Sequence, residues 1–255
     1  MRRENATLIG SVSRTQYLRG EDRRLRVRLR QRVFPVIAVL ACALLAPVFA
    51  PVARAQTANV DQFLQAAALQ PGDVPVGMEI RQQAPLAPAA LPQLVGMGGG
   101  SAASFSGVLG GYTQTLVATN LASALFGAPV VAGDLILAFD TPDDAHAAYA
   151  TIAQELAMLL PRLPGSSQGG ITIQQSAALP APAIGDEAQE VELTGTAAMG
   201  GQNISVVIDL VAVRRGQVEF VTFAAGLQEQ SNTAEALAAA IDSNVQANLG
   251  LLTGG

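Results

Sequence analysis

Asn203–Ala225, NISVVIDLVAVRRGQVEFVTFAA, reads as two strands joined by a tight turn at Arg214-Arg215-Gly216. Ile204, Val206, Ile208 and Leu210 share one face of the first strand, and Ser205, Val207, Asp209 and Val211 share the other. In the second strand Val218, Phe220 and Thr222 alternate against Glu219, Val221 and Phe223. A period of two carried by β-branched and aromatic side chains marks a hairpin within a sheet. Gly216 offers the positive φ that a short hairpin turn demands. Both faces are apolar enough to place this hairpin centrally, with helices over at least one of them.

Working outward, Gln189–Thr194 alternates cleanly: Val191 and Leu193 point inward, and Glu190, Glu192 and Thr194 point toward a wetted face. Before it, Ile171–Ala177 is a further strand and Pro180–Gly185 a turn. After the hairpin, Asn232 with Glu235 three residues on caps a helix whose stripe is Leu237, Ile241 and Val245, ended by Gly250. A similar succession lies upstream. Val131–Phe139 is a strand, and Thr141-Pro142-Asp143-Asp144 then caps a helix, with Pro142 in its first turn and two acids facing the positive end of its dipole. Ala145, Tyr149, Ile152, Leu156 and Leu159 form its apolar stripe, and Pro161 and Pro164-Gly165 end it.

Further upstream, Gly107–Thr119 supplies a strand after Gly111, and Asn120–Phe126 a helical turn or its continuation. Asn59–Leu69 is a short helix, Pro75–Gln82 an extended piece, and Ala84–Ser104 an Ala-, Pro- and Gly-rich surface loop. Strands preceding a helix, twice over, predict an α+β single domain with a largely antiparallel sheet and helices packed on it. A faint duplication of strand–turn–strand–helix units, over 112–160 and 204–249, fits the same order.

Charge divides the chain. Eleven of the 15 Lys+Arg are arginines before Gln56, and only three of the 20 acids lie there. The remainder carries four arginines against seventeen acids, a formal net charge of −13. That balance argues against nucleic acid as a partner. Arg23–Arg32, the apolar Val33–Ala50 and Ala53-Arg54-Ala55 have the order of an export signal, with cleavage expected between Ala55 and Gln56. The expected organisation is therefore a signal over 1–55 and an extracytoplasmic domain over 56–255, secreted or associated with the cell envelope. It would touch the membrane only through an uncleaved signal. Cys42, the one cysteine, sits within the apolar run; the domain itself would then rely on a packed core without a disulfide.

The absent residue types limit the chemistry. The chain has no lysine, which excludes a Walker A loop, a pyridoxal Schiff base and a Ser-Lys hydrolase. Gly98-Gly99-Gly100-Ser101 is thus a flexible loop. Without cysteine the domain offers no thiol nucleophile or thiolate metal site, and no cofactor is expected. His146 is the only histidine; with Asp140, Asp143 and Asp144 it clusters at a helix start where a hard cation could bind, although capping explains the acids. Asp186, Glu187, Glu190 and Glu192 contain enough carboxylates for a glycosidase pair, yet they also suit a solvated strand. Arg214-Arg215 could grip an anion or simply form a polar turn.

Three phrases occur in order: Asp73-Val-Pro-Val-Gly77, the FDTPDDAHAAY step from Phe139 to Tyr149, and Ile184-Gly-Asp-Glu-Ala188 leading to the hairpin and a final Ala-rich helix. Over roughly 70–249 this order resembles secreted bacterial sensor-like domains, of the kind found in envelope lipoproteins and as receptor-kinase ectodomains. Val39-Leu40-Ala41-Cys42 only slightly resembles the lipobox at which lipoproteins are acylated, with a poorly suited leucine two residues before the cysteine, and the chain departs from the lipoproteins there. The resemblance implies an α+β sandwich and a binding role, with no functional residue carried over. The expectation is a non-catalytic exported domain for a small or lipidic ligand or an envelope partner. The rival readings are a carboxylate-dependent extracytoplasmic hydrolase and a structural envelope component.

Overall fold

The computed structural model describes residues 58–88, 106–120, 128–160, 164–165, 167–168, 171–199, 202–227 and 232–252. The signal with Cys42, the Ala55–Gln56 junction, the Gly98–Ser101 loop and the 121–126 part of the expected helical turn lie outside them. The described elements are α1 (Ala58–Ala67), β1 (Met78–Leu86), β2 (Val108–Ala118), β3 (Val131–Phe139) and α2 (Pro142–Leu159). They continue as β4 (Ser167–Gln168), β5 (Ile171–Leu179), β6 (Glu187–Met199), β7 (Gln202–Arg215), β8 (Val218–Gly226) and α3 (Thr233–Asn248), closed by a 3-10 turn at Leu249–Leu251. The strands form one sheet in the order β1-β2-β3-β8-β7-β6-β5-β4, antiparallel at every pairing. The quoted hairpin is thus β7–β8, and its two strands lie at the centre.

Alternation about the sheet assigns the helices to its two faces. Ala132, Ile136 and Ala138 of β3 and Val218, Phe220 and Ala224 of β8 share a core with Phe63 and Leu64 of α1 and Leu237, Ile241 and Val245 of α3. The intervening Leu135, Leu137 and Phe139 of β3 pack against Ala145, Ala148 and Ile152 of α2 on the opposite face. That face continues toward the far edge through Phe223, Ile208, Leu193, Val191, Ile173 and Ile171. Burial on both sides explains why the central hairpin is apolar on both faces.

Several boundaries differ from the sequence reading. Ala84, expected to open a loop, lies in a strand, because β1 runs to Leu86 with Ala84 in register with Thr113 and Pro85 with Tyr112, and 89–104 of that expected loop lie outside the described residues. Pro85 is tolerated because β1 is an edge strand with no ladder on its other side. β2 starts at Val108, not after Gly111, since Gly110 and Gly111 pair with Ala138 and Leu137. The hairpin turn is Gly216-Gln217, because Arg214 and Arg215 still pair with Glu219 and Val218. Gly216 does take a positive φ of 56°.

Thr141 caps α2 as expected: its hydroxyl accepts from the Asp144 amide (3.1 Å) and donates to the Asp144 carboxylate (2.6 Å). Asn232 is different. It precedes α3 in a left-handed conformation (φ 64°, ψ 17°) without a side-chain cap bond. Gly250 lies within the closing 3-10 turn rather than ending α3.

Candidate functional site

The densest polar constellation among the described residues lies at the turn end of β7–β8. Arg214 leaves β7 on the α2 face, in the same cross-strand row as Glu187 on β6 and Glu219 on β8. Its Nε donates to Glu187 Oε1 at 2.6 Å, and its Nη1 to Asp186 Oδ2 at 3.3 Å and to the Gly216 carbonyl at 3.1 Å. Asp186 Oδ2 also accepts from the Gly216 amide at 2.8 Å, which ties the β5–β6 connection to the hairpin turn. From α2, His146 Nδ1 meets Glu187 Oε1 at 2.8 Å.

Arg215 points to the other face and grips Asp242 of α3 with a two-pronged contact, Nε to Oδ1 at 2.8 Å and Nη2 to Oδ2 at 2.7 Å. Gln246, one turn on, donates to the same carboxylate at 2.8 Å. The twin arginines therefore clamp one helix on each face, α2 indirectly through Glu187 and α3 directly.

Proton affinities follow the surroundings. Burial alone would raise Glu187, but hydrogen bonds from His146 and Arg214 outweigh it and hold the carboxyl below its ordinary value. Asp242 behaves likewise, burial being overcome by the hydrogen bonds from Arg215 and Gln246. Glu219 has no such help: it is 1 % exposed, both carboxyl oxygens lack a hydrogen-bond partner, and burial pushes its pKa up to about 8. At neutral pH it is therefore a neutral acid. Tyr149 of α2 is pushed up to about 12 by burial and by the nearby Glu187 and Glu219 carboxyls, with Arg214 pulling the other way.

A second orphaned acid, Asp134, is also 1 % exposed and without hydrogen-bond partners for its carboxyl oxygens. It lies on the α1–α3 face of β3, in register with Gln114 and Thr222. Burial raises it well above an ordinary aspartate, and the nearby Gln114 backbone amide, not aligned for a hydrogen bond, offsets this only in part. Its two neighbours fasten the helices. The Gln114 side chain exchanges bonds with the Leu69 backbone (2.8 and 3.1 Å), and the Thr222 hydroxyl donates to the Ala234 carbonyl at 2.7 Å.

Of the residues singled out from sequence, His146, Asp186, Glu187, Arg214 and Arg215 meet, whereas the expected cation cluster at the start of α2 is dispersed. Asp144 is engaged by Thr141, Asp140 and Asp143 are exposed, and His146 turns to Glu187 on another element. Among the described residues no group of three or more His, Cys, Asp and Glu is placed to hold a metal ion. The acids at 186–192 fall into two groups, Asp186 and Glu187 meeting at Arg214 and Glu190 and Glu192 lying on the other face. Glu187 faces α2 beside Arg214, whereas Glu190 and Glu192 face the α3 side opposite Val211 and Asp209. Burial there, followed by the charges of Glu235 and Glu192, raises the Glu190 pKa.

Sequence reasoning passed over Glu219, Asp134 and Asp242. The first two had a legible signal: a lone acid within VEFVTF or VAGDLILAF has no wet face if the strand is central. Asp242 had none, since its partner is 27 residues away.

No protein-family model matches the chain, and no curated protein matches it. Two solved structures from Mycobacterium tuberculosis are similar to it in part. The extracellular domain of PknH aligns with a TM-score of 0.49 and 16% identity, covering 78% of this chain and 98% of that one. LpqN, involved in cell envelope biogenesis, aligns with a TM-score of 0.23 and 17% identity, covering 67% of this chain and 78% of that one. These neighbours are an extracellular domain and a protein involved in cell envelope biogenesis; they assign no role to any residue here.

Proposed function

We propose that this chain is an exported, non-catalytic binding or sensor-like domain for a small or lipidic ligand or an envelope partner. The observation that carries this reading is the mutual engagement of His146, Glu187, Asp186, Arg214, Arg215 and Asp242. The most concentrated polar groups hold β6, β7, α2 and α3 to one another, so they act as a brace rather than as an open reaction centre. Export follows from the basic, apolar, Ala-x-Ala order of the first 55 residues.

Native mass spectrometry of the protein exported by its own host tests the reading. A non-covalent adduct that leaves on denaturation is the expected result, and its mass identifies the ligand class. A bare polypeptide that also captures no envelope protein on cross-linking in the host would overturn it in favour of a purely structural component. The same spectrum reports cleavage before Gln56 and acylation at Cys42.

One observation favours the hydrolase reading. Glu187 and Glu219 flank Arg214 on one sheet face, the first held below and the second above the ordinary carboxylate range, as in an acid–base pair. Against it, Glu219 is buried beneath α2, where a substrate would have to displace the helix. Turnover of a glycoside or ester panel that disappears in both Glu187→Gln and Glu219→Gln would establish hydrolysis and displace the binding reading.

A further inference from the structure

Glu219 stands directly opposite Arg214 across the β7–β8 hairpin. Directly opposed residues place their Cβ atoms about 5 Å apart, within easy reach for an arginine and a glutamate. Yet the guanidinium does not bond to Glu219. It is directed to Glu187, Asp186 and the Gly216 carbonyl instead, and the Glu219 carboxyl remains unpartnered beneath α2. A neutral carboxyl allows this arrangement, because it offers the arginine no charge to pair with. A carboxylate in the same place would be an uncompensated buried anion one residue-width from a cation.

We propose that Glu219 and Arg214 form a proton-controlled latch for α2. With Glu219 protonated, Arg214 is released to hold Glu187 and Asp186, and Glu187 holds α2 through His146. When Glu219 loses its proton, its carboxylate draws the guanidinium inward, which weakens the Arg214 contacts to Glu187, Asp186 and the turn and loosens the N-terminal half of α2.

The groups that face Glu219 support a switch of this direction. From β7 there is Arg214, with Asp186 on its far side; from β6 there is Glu187; from α2 there are Tyr149 and, on Glu187, His146. From β3 the register neighbour is Leu137, which carries no charge. Arg214 is the one arginine in this set, and two carboxylates already share it. Ionisation of the third must therefore redistribute it. The carboxyl pushed up to about 8 by burial places the transition in mildly alkaline conditions. Asp134, the other orphaned acid, lies on the opposite face and serves as the internal control.

Hydrogen–deuterium exchange of the protein as exported by its host, corrected for the intrinsic pH dependence of exchange, tests the latch from pH 6 to 9.5. Amides of 142–152 are expected to lose protection as the pH rises toward about 8, by up to about tenfold per pH unit, the most that one linked proton can produce. Above about pH 8 protection should level off, because Glu219 is then ionised in the closed state as well. Glu219→Gln, isosteric and permanently neutral, should abolish the fall, whereas Asp134→Asn should preserve it. Unchanged protection in the parent protein through pH 9.5, or the same fall in Glu219→Gln, would overturn the proposal.

Discussion

A carboxyl pushed up by burial affects stability in the opposite direction from one pulled down by a partner. Glu219 keeps its proton in the native state up to about pH 8, while the unfolded chain releases it near the ordinary value of 4.5. Between these limits the native state binds more protons, so stability falls as pH rises, by up to about 1.4 kcal/mol per pH unit from this residue. Glu219→Gln should remove that slope. Denaturant titrations are expected to show no gain at pH 4 and a gain of a few kcal/mol at pH 8. Equal effects at both pH values would mean that the group is not held neutral. Glu187 contributes with the other sign: its lowered native pKa stabilises the fold above the unfolded value and is lost as pH falls through the native one. The presence of Glu219 was legible in VEFVTF, but its ionisation state was not, because that depends on α2, a helix some seventy residues earlier in the chain.

Among the elements, the connections carry the sharpest constraints. Gly185 has a φ of +69°, and a Cβ there would collide with the Val213 side chain and meet the Arg214 carbonyl at 2.6 Å. The close approach is what brings Asp186 onto the Gly216 amide. Gly185→Ala should therefore destabilise the protein by about 2–3 kcal/mol, from left-handed strain plus overpacking, as a lower midpoint in urea. A change below 0.5 kcal/mol would deny the close packing of this connection.

Asn232 offers a second test. If its side chain capped α3, serine would serve as well; because it instead occupies the left-handed region, serine should cost about 1 kcal/mol and glycine almost nothing. Thermal melts of Asn232→Ser and Asn232→Gly decide between the two. The sequence signal at Asn232 and Glu235 was real as a helix start but ambiguous in mechanism, since asparagine is favoured both as a cap and at positive φ.

For the molecule as a whole, the sheet is covered on both faces by helices drawn from different parts of the chain. Two hairpins, β2–β3 and β7–β8, are each followed by a helix, which is the order that suggested duplication. The helices nevertheless go to opposite faces, α2 to one and α3 with α1 to the other. α1 completes the core over β2, β3 and α3, with Phe63 fully buried. Phe63→Ala should accordingly cost about 3–5 kcal/mol and lower the midpoint of a single cooperative transition. A separate early transition would instead mean that α1 docks independently of the sheet.

What the sequence determined by itself was local and periodic. Alternation identified β3, β6, β7 and β8, the 3–4 spacing identified α2 and α3, and Thr141-Pro142-Asp143-Asp144 marked the start of α2, because each of these signals is written within a few residues and reports only which side of an element is apolar. The tertiary structure alone decided which helix covers which face, that Glu187 and Glu190 point to opposite sides, and that Arg215 finds Asp242 while Glu219 finds no one. Those outcomes depend on strand register and helix placement between distant segments. A one-residue step along a strand reverses the face of a side chain, and the free energy of a buried charge is set by atoms that are its neighbours only after folding.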